Sequence, residues 1–159
     1  VDKVKSCETC WDFSDANPCA ICNNKTRDGA LLCVISEPQD IPVLERTGMY
    51  NGLYHVLRGL VEPGAEEDME KIKIKELFKK VAPTANRGPA EAGETKEIIL
   101  ALNPDLSGET TMLFLEKKIK DLSPATKITR LARGLPMGSD LQYADEITQG
   151  GALKNRTER

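Results

Sequence analysis

The chain has 159 residues, of which 40% are hydrophobic and 30% charged, enough to bury the core of one α/β domain with a small appended module and not the balance of a disordered chain. A net charge of -3 excludes coating of nucleic acid by charge alone, which needs clustered Lys and Arg to neutralise several phosphates. There is no run of about 18 apolar residues and no signal-peptide core after the polar residues 1–5, so a membrane span is excluded and a cytoplasmic location is expected.

Residues 1–29 are rich in cysteine and turns and lack apolar periodicity, so burial alone cannot fold them. Cys7, Cys10, Cys19 and Cys22 form two Cys-x2-Cys pairs separated by eight residues. A two-residue gap lets both thiolates of a turn face one point, so the two turns can converge on one tetrahedral zinc at about 2.3 Å per Zn–S bond. Two disulfides or a redox pair are the alternatives, and the paired spacing without a secretory signal favours the metal. Four protein ligands leave no open position for water or substrate, so one structural zinc is expected. Cys33 sits apart, in a strand pattern, and reads as an inert buried thiol.

From residue 30 the pattern changes. Ala30-Leu31-Leu32-Cys33-Val34-Ile35 is a continuous apolar run, as a buried parallel strand requires. Residues 41–47 read as a short helix stopped by Gly48, and residues 52–57 as a second strand. Met69, Ile72, Ile74, Leu77, Phe78 and Val81 recur at helical spacing and predict a helix over 67–81. Residues 82–95 collect Pro, Gly, Ala, Glu and Thr without an apolar face and read as a mobile surface loop. A third buried strand is expected over 97–102, an amphipathic helix over 108–122 and a fourth strand over 127–132, followed by an irregular polar segment, 134–159. Strands alternating with helices imply an α/β fold of parallel units, with functional groups at the carboxyl ends of strands. Those ends are residues 36–40 and 103–105.

Glu37 after the first strand and Asp105 after the third stand where a nucleotidyl-transfer domain offers carboxylates to magnesium. Around them, Glu37-Pro38-x-Asp40 and Thr47-Gly48-x-Tyr50-Asn51-Gly52-x-Tyr54-His55-Val56-Leu57-x-Gly59-Leu60 are followed by Asn103-Pro104, Gly108-Glu109 and Thr111. Gly134-Leu135-Pro136-x-Gly138-x-Asp140-Leu141-x-Tyr143-Ala144-Asp145-Glu146 completes the set. In this order, behind a four-cysteine knuckle, the segments resemble the RecR family of bacterial recombination mediators over nearly the whole chain. The resemblance implies a zinc finger at 1–29, a Toprim-like parallel sheet flanked by helices at 30–133, and a Walker-B-like assembly segment at 134–159. It implies a non-enzymatic scaffold that forms a ring able to clamp DNA and works with RecO and RecF to load RecA at single-stranded gaps. Glu37, Asp40 and Glu109 would contact partners, and Leu141, Tyr143, Ala144, Asp145 and Glu146 would serve self-association.

This chain departs from the family pattern in two places. The family's amino-terminal helix-hairpin-helix domain, which supplies DNA binding, has no counterpart before Val1, so a truncated piece with weak DNA affinity is expected. Ser107 stands where an acidic residue is expected, while Asp105 adds a carboxylate. A magnesium-dependent Toprim nuclease or primase is the alternative reading. It would need an acidic pair at the third strand, and Asn103 occupies the first of those places, which weakens the case for Mg2+. An independent zinc-ribbon DNA reader is disfavoured because Lys3, Lys5, Lys25 and Arg27 are offset by Asp2, Glu8, Asp12, Asp15 and Asp28.

The remaining polar features have plainer readings. Glu37, Asp40 and Glu109 can each also serve as acids near a helix amino terminus. His55 has no acid-base partner in sequence and reads as a packed histidine. Lys71, Lys73, Lys75, Lys79 and Lys80 are interleaved with Glu66, Glu67, Asp68, Glu70 and Glu76, and read as a solvated helix face.

Overall fold

The computed structural model describes residues 3–64, 72–83 and 94–159. Two compact units result, Val1–Thr129 and Arg130–Arg159.

The first unit starts with a two-stranded antiparallel ribbon, β1 (Lys5–Ser6) and β2 (Phe13–Ser14), and continues into a four-stranded parallel sheet. Its strands are β3 (Asp28–Ile35), β4 (Gly52–Val56), β5 (Glu97–Leu100) and β6 (Lys127–Arg130), in the order β4-β3-β5-β6. Helices α1 (Asp40–Glu45), α2 (Ile74–Val81) and α3 (Leu106–Leu122) connect them, giving the α/β architecture expected. Val34 and Ile35 of the central β3 are wholly buried, which explains the continuous apolar run: a strand covered on both faces has no polar side.

One face of the sheet packs Leu32, Val34, Ile98 and Leu100 against Ile74, Leu77 and Val81 of α2 and Met112, Leu115 and Ile119 of α3. Each such side chain contributes about 1.5–3 kcal/mol on burial. The other face packs Cys33, Ile35, Tyr54 and Val56 with Ile41 of α1, and Trp11 and Ile21 of the cysteine-rich module join this cluster.

Several boundaries differ from expectation for identifiable reasons. The 67–81 helix is found as Ile74–Val81, because the Lys73 amide donates to the Leu57 carbonyl (2.7 Å) and is held at the end of β4. Residues 67–71 of that expected helix, and most of the expected 82–95 loop, lie outside the described residues. β5 stops at Leu100, and its ladder ends with the Ala101 amide on the Val34 carbonyl as β3 itself runs out. α3 begins two residues earlier than expected, at Leu106, because Asp105 is its N-cap and accepts from the Gly108 amide at 2.8 Å. Gly48 is the helix stop expected, with a left-handed φ of 64°.

The second unit is more regular than the expected polar tail. It contains a 3-10 turn at Leu141–Tyr143 and helix α4 (Glu146–Lys154), whose N-cap Asp145 accepts from the amide and hydroxyl of Thr148 at 2.8 and 2.7 Å. Gln149 ties the two together by donating to the carbonyls of Leu141 and Ala144. α4 buries no residue fully, and Leu141, Tyr143, Ile147 and Leu153 are all exposed.

Candidate metal centre and acidic strand ends

The two cysteine pairs sit on two tight turns. In the first, between β1 and β2, the Cys7 amide donates to the Asp12 carbonyl and the Trp11 amide to the Cys7 carbonyl, both at 2.8 Å. In the second, the Asn23 amide donates to the Cys19 carbonyl at 2.9 Å. The Glu8 amide bonds the Asn17 side chain across the two turns (3.1 Å), and the Cys19 amide donates to Cys7 Sγ (3.3 Å).

All four sulfurs lie within 4.8 Å of one another, and Cys10 Sγ and Cys19 Sγ are 3.6 Å apart. A tetrahedron with four Zn–S bonds of about 2.3 Å has sulfur edges of about 3.8 Å, so the four thiols can hold one ion with minor contraction, and they are compatible with zinc. None of the cysteines is disulfide-bonded. The buried cluster of this module consists of Cys7, Cys10 and Cys19 flanked by Ile21 and Cys22, so it has no aliphatic core of its own.

The electrostatics of Cys10, Cys19 and Cys22 are compatible with a cation. A hydrogen bond from Cys22 pulls Cys10 down to about 6, while burial pushes Cys19 up to about 11. Cys22 is raised, chiefly by its hydrogen bond to Cys10. The Cys10 proton therefore leaves easily, while those of Cys19 and Cys22 are held by burial and by the charge of the Cys10 thiolate, an opposition that a divalent ion at the centre would reverse. Cys33 differs: burial alone pushes it up to about 12, as an inert core thiol should be.

The module is fastened to the sheet. The Val56 amide, on β4, donates to the Cys10 carbonyl at 2.8 Å, Arg58 reaches the Trp11 carbonyl, and the Lys73 ammonium lies 4.1 Å from the Trp11 ring centroid. Arg27 closes the module's far end, pairing with Glu45 of α1 and donating to the Gly52 carbonyl at 2.9 Å, while the Tyr54 hydroxyl donates to the same Glu45 carboxylate at 2.6 Å.

The acidic residues occupy the sheet end where β3 and β5, being parallel neighbours, both finish. Glu37 is exposed in the turn after β3, Asp40 opens α1, and Glu109 lies in the first turn of α3. Asp40 faces its own turn, accepting from the Glu37 amide (3.2 Å) and the Ser36 hydroxyl (3.3 Å). Asp105 is committed to capping α3, and Ser107 donates to Glu62 at 3.1 Å. Glu62, on the stretch after β4, is a carboxylate at this end that periodicity gave no reason to single out. Among the described residues, the cysteine set is the one cluster of Cys, His, Asp or Glu close enough to share an ion.

His55 is wholly buried, with Nε2 on the Lys73 carbonyl (2.7 Å) and Nδ1 facing the Lys80 ammonium (2.9 Å). Burial, reinforced by Lys80, lowers its pKa to about 3, so it is a neutral packing residue. The expected solvated lysine face is thereby corrected in part: Lys73 and Lys80 are engaged with Trp11 and His55.

A parallel sheet with acids at one strand end, preceded by a cysteine module, defines a class: residues 30–132 match the Toprim domain. Residues 134–157 match the family described as RecR, C-terminal. The chain is 40% identical over 154 residues to Recombination protein RecR of Clostridium perfringens, covering 97% of this chain and 72% of that protein. The chain belongs to the RecR family.

Proposed function

We propose that this chain is a non-catalytic scaffold of DNA recombination and repair, in which one structural zinc on Cys7, Cys10, Cys19 and Cys22 folds the module at 1–29 onto the Toprim domain at 30–133. The observation that carries this reading is the match to Recombination protein RecR along nearly the whole chain, joined to four converging thiols. Glu37, Asp40 and Glu109 present negative charge to a basic partner such as RecO, with RecF also engaged, so that RecA is loaded at single-stranded gaps. Such contacts steer and orient a partner more than they hold it. The segment 134–159 serves self-association: Leu141, Tyr143, Ile147 and Leu153 are between 64% and 79% exposed, an apolar surface that a partner would cover. Leu135, Ala152 and Leu153 also line a groove of about 720 Å³ in this unit. DNA is held by the assembled ring and only weakly by a single copy of this chain, whose net charge is -3. Among the described residues no helix is long and apolar enough to cross a membrane, and unpaired thiols suit the reducing cytoplasm.

Catalysis by magnesium is disfavoured because Asp105 is spent on its helix cap and Asn103 stands in the expected carboxylate position. Two assays on purified protein decide the matter. Capture of RecO, reduced in Glu37→Ala and Asp40→Ala variants, supports the scaffold surface. Magnesium-dependent cleavage of gapped DNA that disappears in Glu37→Ala overturns it.

A further inference from the structure

Among the described residues, two that are not glycine adopt a left-handed backbone: Trp11 (φ 69°) and Arg58 (φ 60°). Such a conformation costs a side-chain-bearing residue roughly 1–2 kcal/mol and persists where the surroundings enforce it. Though 47 positions apart, the two are bonded directly: Arg58 Nε donates to the Trp11 carbonyl at 2.8 Å. Arg58 Nη2 donates to Ser6 Oγ at 2.9 Å, and the guanidinium carbon lies 4.2 Å from the Phe13 ring centroid. One side chain thus grips β1, β2 and the first cysteine turn together. Its backbone is fixed on the sheet side, where the Arg58 amide donates to the Ser36 carbonyl at 2.8 Å, next to Glu37.

We infer that Arg58 is a positioning residue for the metal module: its guanidinium locks the Cys7–Cys10 turn against the end of β4, so that metal retention and the docking of the module are one equilibrium. The proposal rests on the zinc reading above. The left-handed backbone makes the test sharp, because glycine is the residue that this backbone favours. If the side chain were idle, Arg58→Gly would relieve strain and leave the module in place. If it positions the module, the same substitution releases it.

The experiment compares wild type, Arg58→Gly and Ser6→Ala on the full chain with two readouts. One is the zinc affinity measured by competition with a chromogenic chelator, and the other is amide hydrogen exchange at Val56, whose N–H is held by the Cys10 carbonyl. A charge-assisted hydrogen bond corresponds to roughly tenfold in an equilibrium. Arg58→Gly is therefore expected to weaken zinc retention at least about tenfold and to speed Val56 exchange by a comparable factor, with Ser6→Ala giving a smaller effect in the same direction. Unchanged Val56 exchange in Arg58→Gly, or zinc affinity that stays at the wild-type value while exchange speeds up, would overturn the proposal. If wild type takes up no zinc, the metal reading and the claimed linkage fall together, and Val56 exchange still decides whether Arg58 docks the module.

Discussion

Gly108 lies in the first turn of α3, where the helix runs against the Asn103 carbonyl. A Cβ built there would stand 1.8 Å from that oxygen, 3.0 Å from its carbon and 3.1 Å from the Asp105 carboxylate. Close carbon–oxygen contacts settle near about 3.3 Å, so Gly108→Ala forces the helix or the 103–105 turn to move by about 1.5 Å. Overpacking of this kind costs about 1–3 kcal/mol. Displacing the turn also loosens the Asp105 cap on the Gly108 amide, worth about 1 kcal/mol, and the better helix propensity of alanine returns about the same amount. The net expectation is a loss of about 1–3 kcal/mol, read as a lower urea midpoint at unchanged slope on metal-loaded protein. Because Glu109 follows directly, the same displacement is expected to weaken RecO capture. An exposed, unhindered helical glycine would instead gain stability on becoming alanine, so a midpoint equal to or above wild type refutes the steric argument.

Other perturbations have equally definite outcomes. Burial depresses His55 to about 3 while the unfolded chain keeps about 6.5, so the unfolded state binds more protons between these values. The stability this residue supplies as a neutral group is present above pH 6.5 and falls by about 1.4 kcal/mol per unit below it; urea melts should show the gap between wild type and His55→Gln narrowing from pH 6.5 to 5. Glu45→Ala leaves Arg27 without its carboxylate and the Tyr54 hydroxyl without its acceptor, at an expected cost of about 2–4 kcal/mol, whereas the joint change Arg27→Met with Glu45→Leu recovers much of it in a double-mutant cycle. The hydrogen bond from Arg27 holds the Glu45 carboxyl below its usual range, so its contribution is kept above about pH 4.3 and lost on further acidification. Asp145→Ala removes the acceptor of two Thr148 hydrogen bonds and is expected to fray α4, measured as lost helical circular dichroism and faster proteolysis within Glu146–Lys154.

The elements legible in the sequence are those whose cause is local. The buried strands announce themselves because both faces of β3 need apolar side chains, and the cysteine cluster because two short gaps bring four sulfurs to one point. Gly48 is likewise local punctuation. What periodicity could not deliver is contact at long range. Nothing near Arg58 in sequence points to Trp11, and nothing near Lys80 points to His55, so interleaved charges looked uniformly solvated when two lysines had found fixed partners. α4 is hard to read from sequence because Gly150 and Gly151 lower its propensity and its apolar residues stay exposed, leaving the Asp145 cap as its main local signal. Asp105 illustrates the opposite error: a carboxylate at a strand end reads as a ligand until its helix is seen to begin one residue later.

The Val56 amide of the outer strand β4 is satisfied by the carbonyl of Cys10, a member of the cysteine cluster. An uncovered outer strand offers free backbone donors and acceptors on which another chain can build. The cysteine module therefore covers the Val56 end of β4 against intermolecular strand addition, so a change that unfolds the module would cost solubility at the same moment that it cost the module its shape.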